Sequence, residues 1–250
     1  MDLRTRNLLE TINRRFYADR ALDFDSSRSR PWQGWTRALD GLSAGAALQV
    51  LDLGCGNGRL LAHLSERFAI TAFVGADSCA PLIEVARERY ASARARFEHA
   101  ELFDEHGAPV MPAGAFDVVA LMGVLHHVPS RQARRALVHA AFERTAPGGR
   151  LVLTVWRFER DSRLSKRTIA WRDAIANDPR LAALDIAQLE PGDTLLQWNK
   201  GARAVRYCHA IGDGEIESWL VDLPAQVERF YADGDGELNE YVVLQRGESQ

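Results

Sequence analysis

The sequence predicts an α/β fold, a doubly wound and mostly parallel sheet of seven strands with an antiparallel edge. Three observations carry that expectation. From residue 48 onward, short aliphatic runs alternate with helix-length segments. This is the pattern of right-handed crossovers that cover both faces of a parallel sheet. A glycine-rich loop, Gly54-Cys55-Gly56-Asn57-Gly58, separates the first aliphatic run from the first of those helices. Near the C-terminus two strand-like runs flank the turn-rich "ADGDGELN", which reads as a hairpin and hence an antiparallel sheet edge.

At 250 residues, 46% hydrophobic and 26% charged, the chain has ample material for a large core and is expected to form one domain. Its formal net charge of −3 gives no global basic field of the kind that advertises nucleic acid, although a local basic face is compatible with it. No apolar run reaches the ~18 residues that span a bilayer, and "MDLRTRNLLE" lacks the apolar segment of a signal peptide. Cys55, Cys79 and Cys208 are isolated and odd in number, so neither a disulfide framework nor a cysteine zinc site is indicated. A reducing, cytoplasmic setting is therefore expected, with no membrane partner and no metal.

Residues 1–45 read as two helical pieces joined by "DFDSSRSRPW", with Pro31 near a helix start, together forming an N-terminal helical lid. Leu48–Leu53 is a buried-strand candidate, and Arg59–Phe68 is a helix with Leu60, Leu61, Leu64 and Phe68 on one side. Thr71–Ala76 is the next strand. Ser78 is placed to cap a helix reaching Ala91, and Ala95–His99 is a short strand. "FDVVALMGV" is a strand, and Ser130 is a plausible cap for a helix over Arg131–Thr145. "APGG" reads as a turn before a strand over Arg150–Trp156. Residues 158–200 break the rhythm and look like a mostly helical, polar insertion. Val205–His209, a helix near Gly214–Leu220, and the strands Gln226–Tyr231 and Glu240–Gln245 complete the chain.

A strand, glycine loop and helix in succession present helix-start N–H groups and a close backbone surface, which suits a nucleotide-like ligand. The spacing is G-x-G-x-G. It is not the dinucleotide fingerprint, because Arg59 stands where a third glycine is needed, and no Gly-Lys-Ser/Thr follows to make a phosphate loop. A tight strand-to-helix turn would explain the glycines alone. Asp77, 19 residues beyond Gly58 at the end of the next strand, adds a carboxylate able to accept two hydrogen bonds from a ribose diol.

"VLDLGCGNG", "VGAD", "FDVVALMGVLHHV" and "APGGRLVLTVW" resemble the successive motifs of class I S-adenosylmethionine-dependent methyltransferases, in order and in spacing over roughly residues 47–157. The resemblance implies a Rossmann-like sheet with S-adenosyl-L-methionine as cofactor. Asp52 and Gly54, Gly56 and Gly58 would then hold its methionine end, and Asp77 the ribose. Glu101 stands where the family usually has an Asp that meets the adenine amino group.

The flanks are similar to one subfamily, the tRNA wobble-uridine carboxymethyl methyltransferases, which include the methyltransferase domain of the fused AlkB-homologue proteins. "FYADRALDFDSSRSRPW", "VLHHVPSRQARR" and "RYCHAIGDGEIESWL" carry that similarity. Cys208 for a Tyr, Val128 for an aromatic and the divergent insertion depart from it. It implies a tRNA acceptor and a small zinc-binding activator protein as partner.

A carboxymethyl nucleophile is already ionised at neutral pH, so orientation matters more than a base. A planar Arg fork holds a carboxylate bidentately, and Arg28 and Arg206 are the candidates, each open to a plain structural reading. One of His126 and His127 is expected to line the acceptor side as orienter or base. Trp156 would supply a stacking wall, with Tyr207 and His209 as further substrate contacts. The basic stretch Arg157, Arg160, Arg163, Lys166, Arg167 and Arg172 is either a phosphate-contacting segment or a solvated face paired with Glu159, Asp161 and Asp173. Two further readings are a small-molecule methyltransferase of the same fold and a non-catalytic cofactor-binding regulatory module.

Overall fold

A computed structural model describes residues 1–27, 30–198, 204–232 and 237–248. The chain opens with α1 (Leu3–Ser27) and α2 (Gly34–Ala38), followed by β1 (Ala47–Leu53), α3 (Arg59–Ser65), β2 (Ala69–Asp77), α4 (Ala80–Tyr90) and β3 (Ala95–His99). β4 (Phe116–Leu121), α5 (Arg131–Glu143) and β5 (Thr145–Trp156) complete the parallel part. Then come α6 (Ser162–Ser165), β6 (Thr168–Ile169), α7 (Trp171–Asn177), β7 (Asp193–Trp198), β8 (Ala204–His209), α8 (Asp213–Leu220), β9 (Ala225–Tyr231) and β10 (Asn239–Arg246).

The main sheet has the order β3-β2-β1-β4-β5-β10-β9. β1, β2, β3, β4 and β5 run parallel, whereas β10 is antiparallel to both β5 and β9. Alternation along the central strands fills two cores. Leu51 and Leu53 of β1 join Val119, Leu121, Leu151 and Leu153 on one face, under α5 and α8. Leu48 and Val50 join Val118, Ala120 and Val152 on the other, under α2, α3 and α4. Each fully buried Leu or Val contributes about 1.5–3 kcal/mol of transfer free energy. Strand order reverses between β1 and β4, which opens a crevice at the carboxyl ends of these strands.

Several local expectations are corrected. Residues 158–200 are not mostly helical: β6 and β7 lie within them and join β8 in a separate three-stranded antiparallel sheet. Pro179, Pro191 and Gly192 cut the segment into pieces too short for a stable helix. "APGG" is no separate turn, since β5 starts at Thr145 and absorbs those residues as an irregularity in its pairing with β4. β4 ends at Leu121, earlier than the aliphatic pattern suggests, and Gly123 (φ +75°) turns the chain away.

Neither serine caps its helix. Cys79 occupies the N-cap of α4, where its N–H donates to the Asp77 carboxylate at 2.8 Å. At α5 the Ser130 side chain makes no cap, and the Arg131 N–H donates to Glu190 of the insertion at 2.8 Å.

α1 runs further than expected, with a kink at Arg20. Its Leu9 packs with Leu195 and Tyr207 of the small sheet, and its Ala21 with Cys79 and Leu82 at α4. The helix therefore lies across the crevice from one layer to the other. Among the described residues no helix is long and apolar enough to cross a membrane.

Candidate active site

The crevice is a cavity of about 410 Å3. Asp52, Gly54, Gly56, Asp77 and Glu101 line one end, and His126, His127, Trp156 and Arg206 line the other.

At the first end, β1 delivers Asp52 and β2 delivers Asp77 beside the glycine loop. Asp77 ties the loop to the next helix: one carboxylate oxygen accepts the Gly56 N–H and the other the Cys79 N–H, both at 2.8 Å. Each oxygen keeps a second lone pair for a diol. Gly56 (φ +53°) faces the cavity, and a Cβ there would touch Leu82 and Phe24 at 3.9 Å. Gly58 is different. It lies outside the cavity lining, and its Cβ would sit 2.9 Å from Phe97 and 3.1 Å from Ala86. Its glycine serves helix–strand packing, and the place expected for it against the cofactor lies outside this lining.

Asp52 is 2% exposed. Burial first, and then the neighbouring Asp77 charge, push its carboxyl up to about 7, with Arg59 partly offsetting them. Burial likewise raises Asp77. A buried acid beside a half-buried one is short of positive charge, and a cationic ligand would relieve both. Glu101 also faces the cavity and is 3.4 Å from Arg14 of α1. The end of α1 is tied down over the loop: Asp25 accepts from Asn57 at 2.8 Å and from both terminal nitrogens of Arg89 at 2.7 and 2.8 Å.

At the second end, the turn after β4 carries His126 and His127, with ring centroids 4.1 Å apart. The His126 ring is 5.1 Å from Trp156 at the end of β5. Arg206, on β8, is 7% exposed. Its guanidinium lies 4.7 Å from the Trp156 centroid, 5.5 Å from Phe16 and 5.6 Å from Trp198. Among the described residues no carboxylate forms an ion pair with it, unlike Arg134 and Arg157, which are deeper still and each paired with two carboxylates. Arg28 lies outside the described residues.

Tyr207 and His209 do not reach the cavity. Strand alternation places Arg206 and Cys208 on one face of β8 and Tyr207 and His209 on the other. The fully buried Tyr207 hydroxyl donates to Asp193 at 2.6 Å. His209 sits between Asp193 (2.7 Å) and Glu215 (3.1 Å). Burial alone would lower its pKa, but the hydrogen bonds to those two acids outweigh it and raise it. Glu215 is drawn down to about 2 against its own burial by hydrogen bonds from His209 and Arg134. Glu190, Asp193 and His209 have a metal-like spacing. Arg134, however, stands 2.7 Å from Glu190 and 3.0 Å from His209, so a guanidinium fills the place of a cation.

The basic stretch is also partly structural. Arg157 is buried against Glu240 and Asp213, Arg163 pairs with Asp161, and Arg160 donates to Tyr231. Among the cavity residues that sequence reasoning did not single out are those of α1. Glu10, Asn13, Arg14, Tyr17 and Phe24 recur at helical spacing along one face. That polar and aromatic stripe was the available signal.

The doubly wound sheet, the acidic crevice at its switch point and the glycine loop define an S-adenosylmethionine-dependent methyltransferase. A sequence model of the methyltransferase-domain family matches residues 8–202, and the chain belongs to that family. It is similar to human "Probable tRNA methyltransferase 9B", 28% identical over 164 residues, covering 64% of this chain and 33% of the human protein. It is similar also to "tRNA (carboxymethyluridine(34)-5-O)-methyltransferase ALKBH8" of Macaca fascicularis, 30% identical over 145 residues, 58% of this chain and 20% of the relative. The matches thus span a third or less of these relatives. In fold, it resembles a solved complex between the Haloferax volcanii Trm112 methyltransferase activator and a methyltransferase described as putative (TM-score 0.64, 14% identity, 95% of this chain and 98% of that one).

Proposed function

We propose that this methyltransferase esterifies a carboxylate, with the carboxymethyl group of tRNA wobble uridine as its acceptor. The observation that carries the reading is Arg206, a buried guanidinium among aromatic rings that faces the cavity with no described acidic partner. Leaving a buried charge in that state is costly. An acceptor carboxylate held bidentately by its planar fork would offset the cost and fix the nucleophile. Trp156 is the stacking wall for the base to which the carboxymethyl group is attached, and His126, packed on it, orients the acceptor.

At the opposite end Asp77 takes the ribose diol, Asp52 with Gly54 and Gly56 the methionine portion, and Glu101 the adenine. The chemistry of the donor set fits this group, because two raised carboxyls, one buried and one half-buried, favour a ligand carrying sulfonium and ammonium charge. Bound S-adenosylmethionine supplies an electrophilic sulfonium methyl, and with a carboxylate nucleophile no proton has to move. The protein's own contribution is alignment of the two ends and exclusion of water, with α1 as the cover. The named activity of the macaque relative supports the tRNA acceptor. The fold shared with the Haloferax methyltransferase supports an activator protein as partner.

The test is label transfer from S-adenosylmethionine to an anticodon stem-loop bearing 5-carboxymethyluridine, in parallel with a panel of small carboxylic acids and with the activator protein present or absent. Base-labile label in the RNA is the expected result. Label only in the small acids moves the acceptor to a metabolite, and label in neither removes the carboxylate reading.

A further inference from the structure

Tyr207 and His209 face away from the cavity, into a buried cluster centred on Arg134 of α5. Its guanidinium is fully buried and lies outside the cavity lining. Nε donates to Glu215 of α8, Nη1 to the Val128 carbonyl at 2.8 Å and Nη2 to Glu190 at 2.7 Å. Nη2 also stands 3.0 Å from Nε2 of His209 on β8. The four partners thus come from four separate segments. Asp193 of β7 joins the set: it meets Nδ1 of His209 and the Tyr207 hydroxyl, and it accepts the Glu190 N–H at 2.8 Å. A rigid planar fork fixes the directions of its partners as well as their distances.

Two of those segments build the end proposed for the acceptor. Val128 directly follows His126 and His127 in the turn after β4 and lines the cavity with them. β8 carries Arg206, which alternation turns toward the cavity while Tyr207 and His209 face the cluster. Arg134 therefore grips both segments from behind. The backbone between them is strained: Ser130, which joins the turn to α5, has φ +75°, a left-handed conformation rare for a residue with a Cβ. It is pinned on both sides, by the Arg134 N–H on the Ser130 carbonyl at 3.0 Å and by Glu190 on the Arg131 N–H at 2.8 Å. Strain of this kind persists where its surroundings over-determine it. A buried set of charges is weak evidence for stability, since apolar side chains of similar volume often serve as well. What this cluster supplies is fixed geometry.

From these contacts we propose that Arg134 is a positioning residue for methyl transfer: through the Val128 carbonyl and His209 it sets the spacing between His126 and Arg206. What Arg206 holds rests on the carboxylate reading above, whereas the coupling of the two segments does not. In-line transfer tolerates little displacement of the acceptor, so a loosened clasp costs turnover even though no cavity residue has changed. The glycine loop and Asp77 make no contact with the cluster, and cofactor binding is left out of its reach.

The test compares the unaltered full chain with Arg134→Lys, which keeps the charge and loses the fork, by kinetics and by amide hydrogen exchange. With the 5-carboxymethyluridine stem-loop, kcat/KM should fall about ten-fold while the S-adenosylhomocysteine dissociation constant stays within about two-fold. Combined with Arg206→Lys, the loss should be well short of the product of the two single losses, because Arg134 acts through that side chain. Exchange should quicken together in residues 124–128 and in β8, with β1 and the glycine loop unchanged. A role in stability alone predicts losses that multiply and exchange that quickens throughout the chain. Either result, or quickening in one of the two segments without the other, overturns the proposal. Should Arg134→Lys fail to fold by circular dichroism, Glu190→Gln, at a partly exposed partner, should show the same pattern with about a three-fold kinetic loss. If the unaltered chain methylates no carboxylate acceptor, the carboxylate reading fails, and the paired exchange still decides this one.

Discussion

The two ends of the cavity are built in opposite ways. The end proposed for the donor comes from neighbouring strands and one loop: Asp52, Gly54, Gly56 and Asp77 fall within a short stretch, and Asp77 is bonded to the backbone of the loop and of the next helix. The end proposed for the acceptor draws Tyr17 from α1, His126 from the turn after β4, Trp156 from β5 and Arg206 from a different sheet. A donor site used by many proteins can be local and rigid. An acceptor site that confers specificity is assembled from segments that meet only after folding, and these are the segments free to vary.

The largest expected effect falls on the acceptor end. Arg206→Lys keeps the charge and loses the fork, so kcat/KM for a carboxylate acceptor should fall about 100-fold. The dissociation constant for S-adenosylmethionine should stay within about two-fold. Steady-state kinetics with parallel calorimetry checks both, and equal losses in both would erase the separation between the two ends.

Asp77→Asn should act in the reverse sense. It removes the carboxylate charge proposed to face the ribose and one of two acceptors that hold the Gly56 and Cys79 N–H groups. Cofactor affinity should drop by about ten-fold or more, as expected for a charge-assisted hydrogen bond, with the acceptor KM little changed at saturating cofactor. A fall in acceptor affinity alone would contradict the division.

A smaller effect follows from Asp52. Its proton leaves near 7 in the ligand-free fold but near 3.8 when unfolded, so between those values the folded state binds more protons. Stability of the ligand-free chain should therefore decline as pH climbs through that window and level off above it. His209, also raised, adds a loss in the same direction as pH rises through its folded value, whereas Glu215 acts only between about 2 and 4.5. Cofactor binding should show the opposite trend and tighten from pH 6 to pH 8 with proton release, because the ionised Asp52 attracts the cation. Calorimetry in buffers of different ionisation enthalpy reads the released proton, and Asp52→Asn should flatten both profiles.

The smallest effect belongs to Tyr207→Phe. It deletes a buried hydrogen bond to Asp193 and should cost about 1 kcal/mol of stability by chemical denaturation. Both kinetic constants should remain as they were. A rise in acceptor KM would return Tyr207 to the substrate side.

These contrasts trace how far the chain could be read in advance. The donor end was legible because its signals are short-range. Aliphatic runs of period two, glycines at left-handed turns and an acid at a strand end each act within a few residues. Arg206 was legible as a fork-bearing cation, but its neighbours Tyr207 and His209 were assigned the same side, since a run of strand residues does not reveal which face meets which layer. The caps expected of Ser78 and Ser130 went to Asp77 and Glu190, because a nearby carboxylate accepts a charge-assisted hydrogen bond from the helix-start N–H.

By itself, then, the sequence determined the seven-strand frame, its antiparallel edge and the acidic glycine-loop pocket, all set by local periodicity and turn chemistry. The tertiary structure decided the rest. It brought the small sheet β6-β7-β8 beside α1, turned Arg206 toward the cavity and Tyr207 away from it, withdrew Arg157 into a buried ion pair, and laid the stripe of α1 over the cavity. The physical reason is that those choices depend on contacts between distant segments. Their burial and pairing energies exist only once the chain has closed on itself.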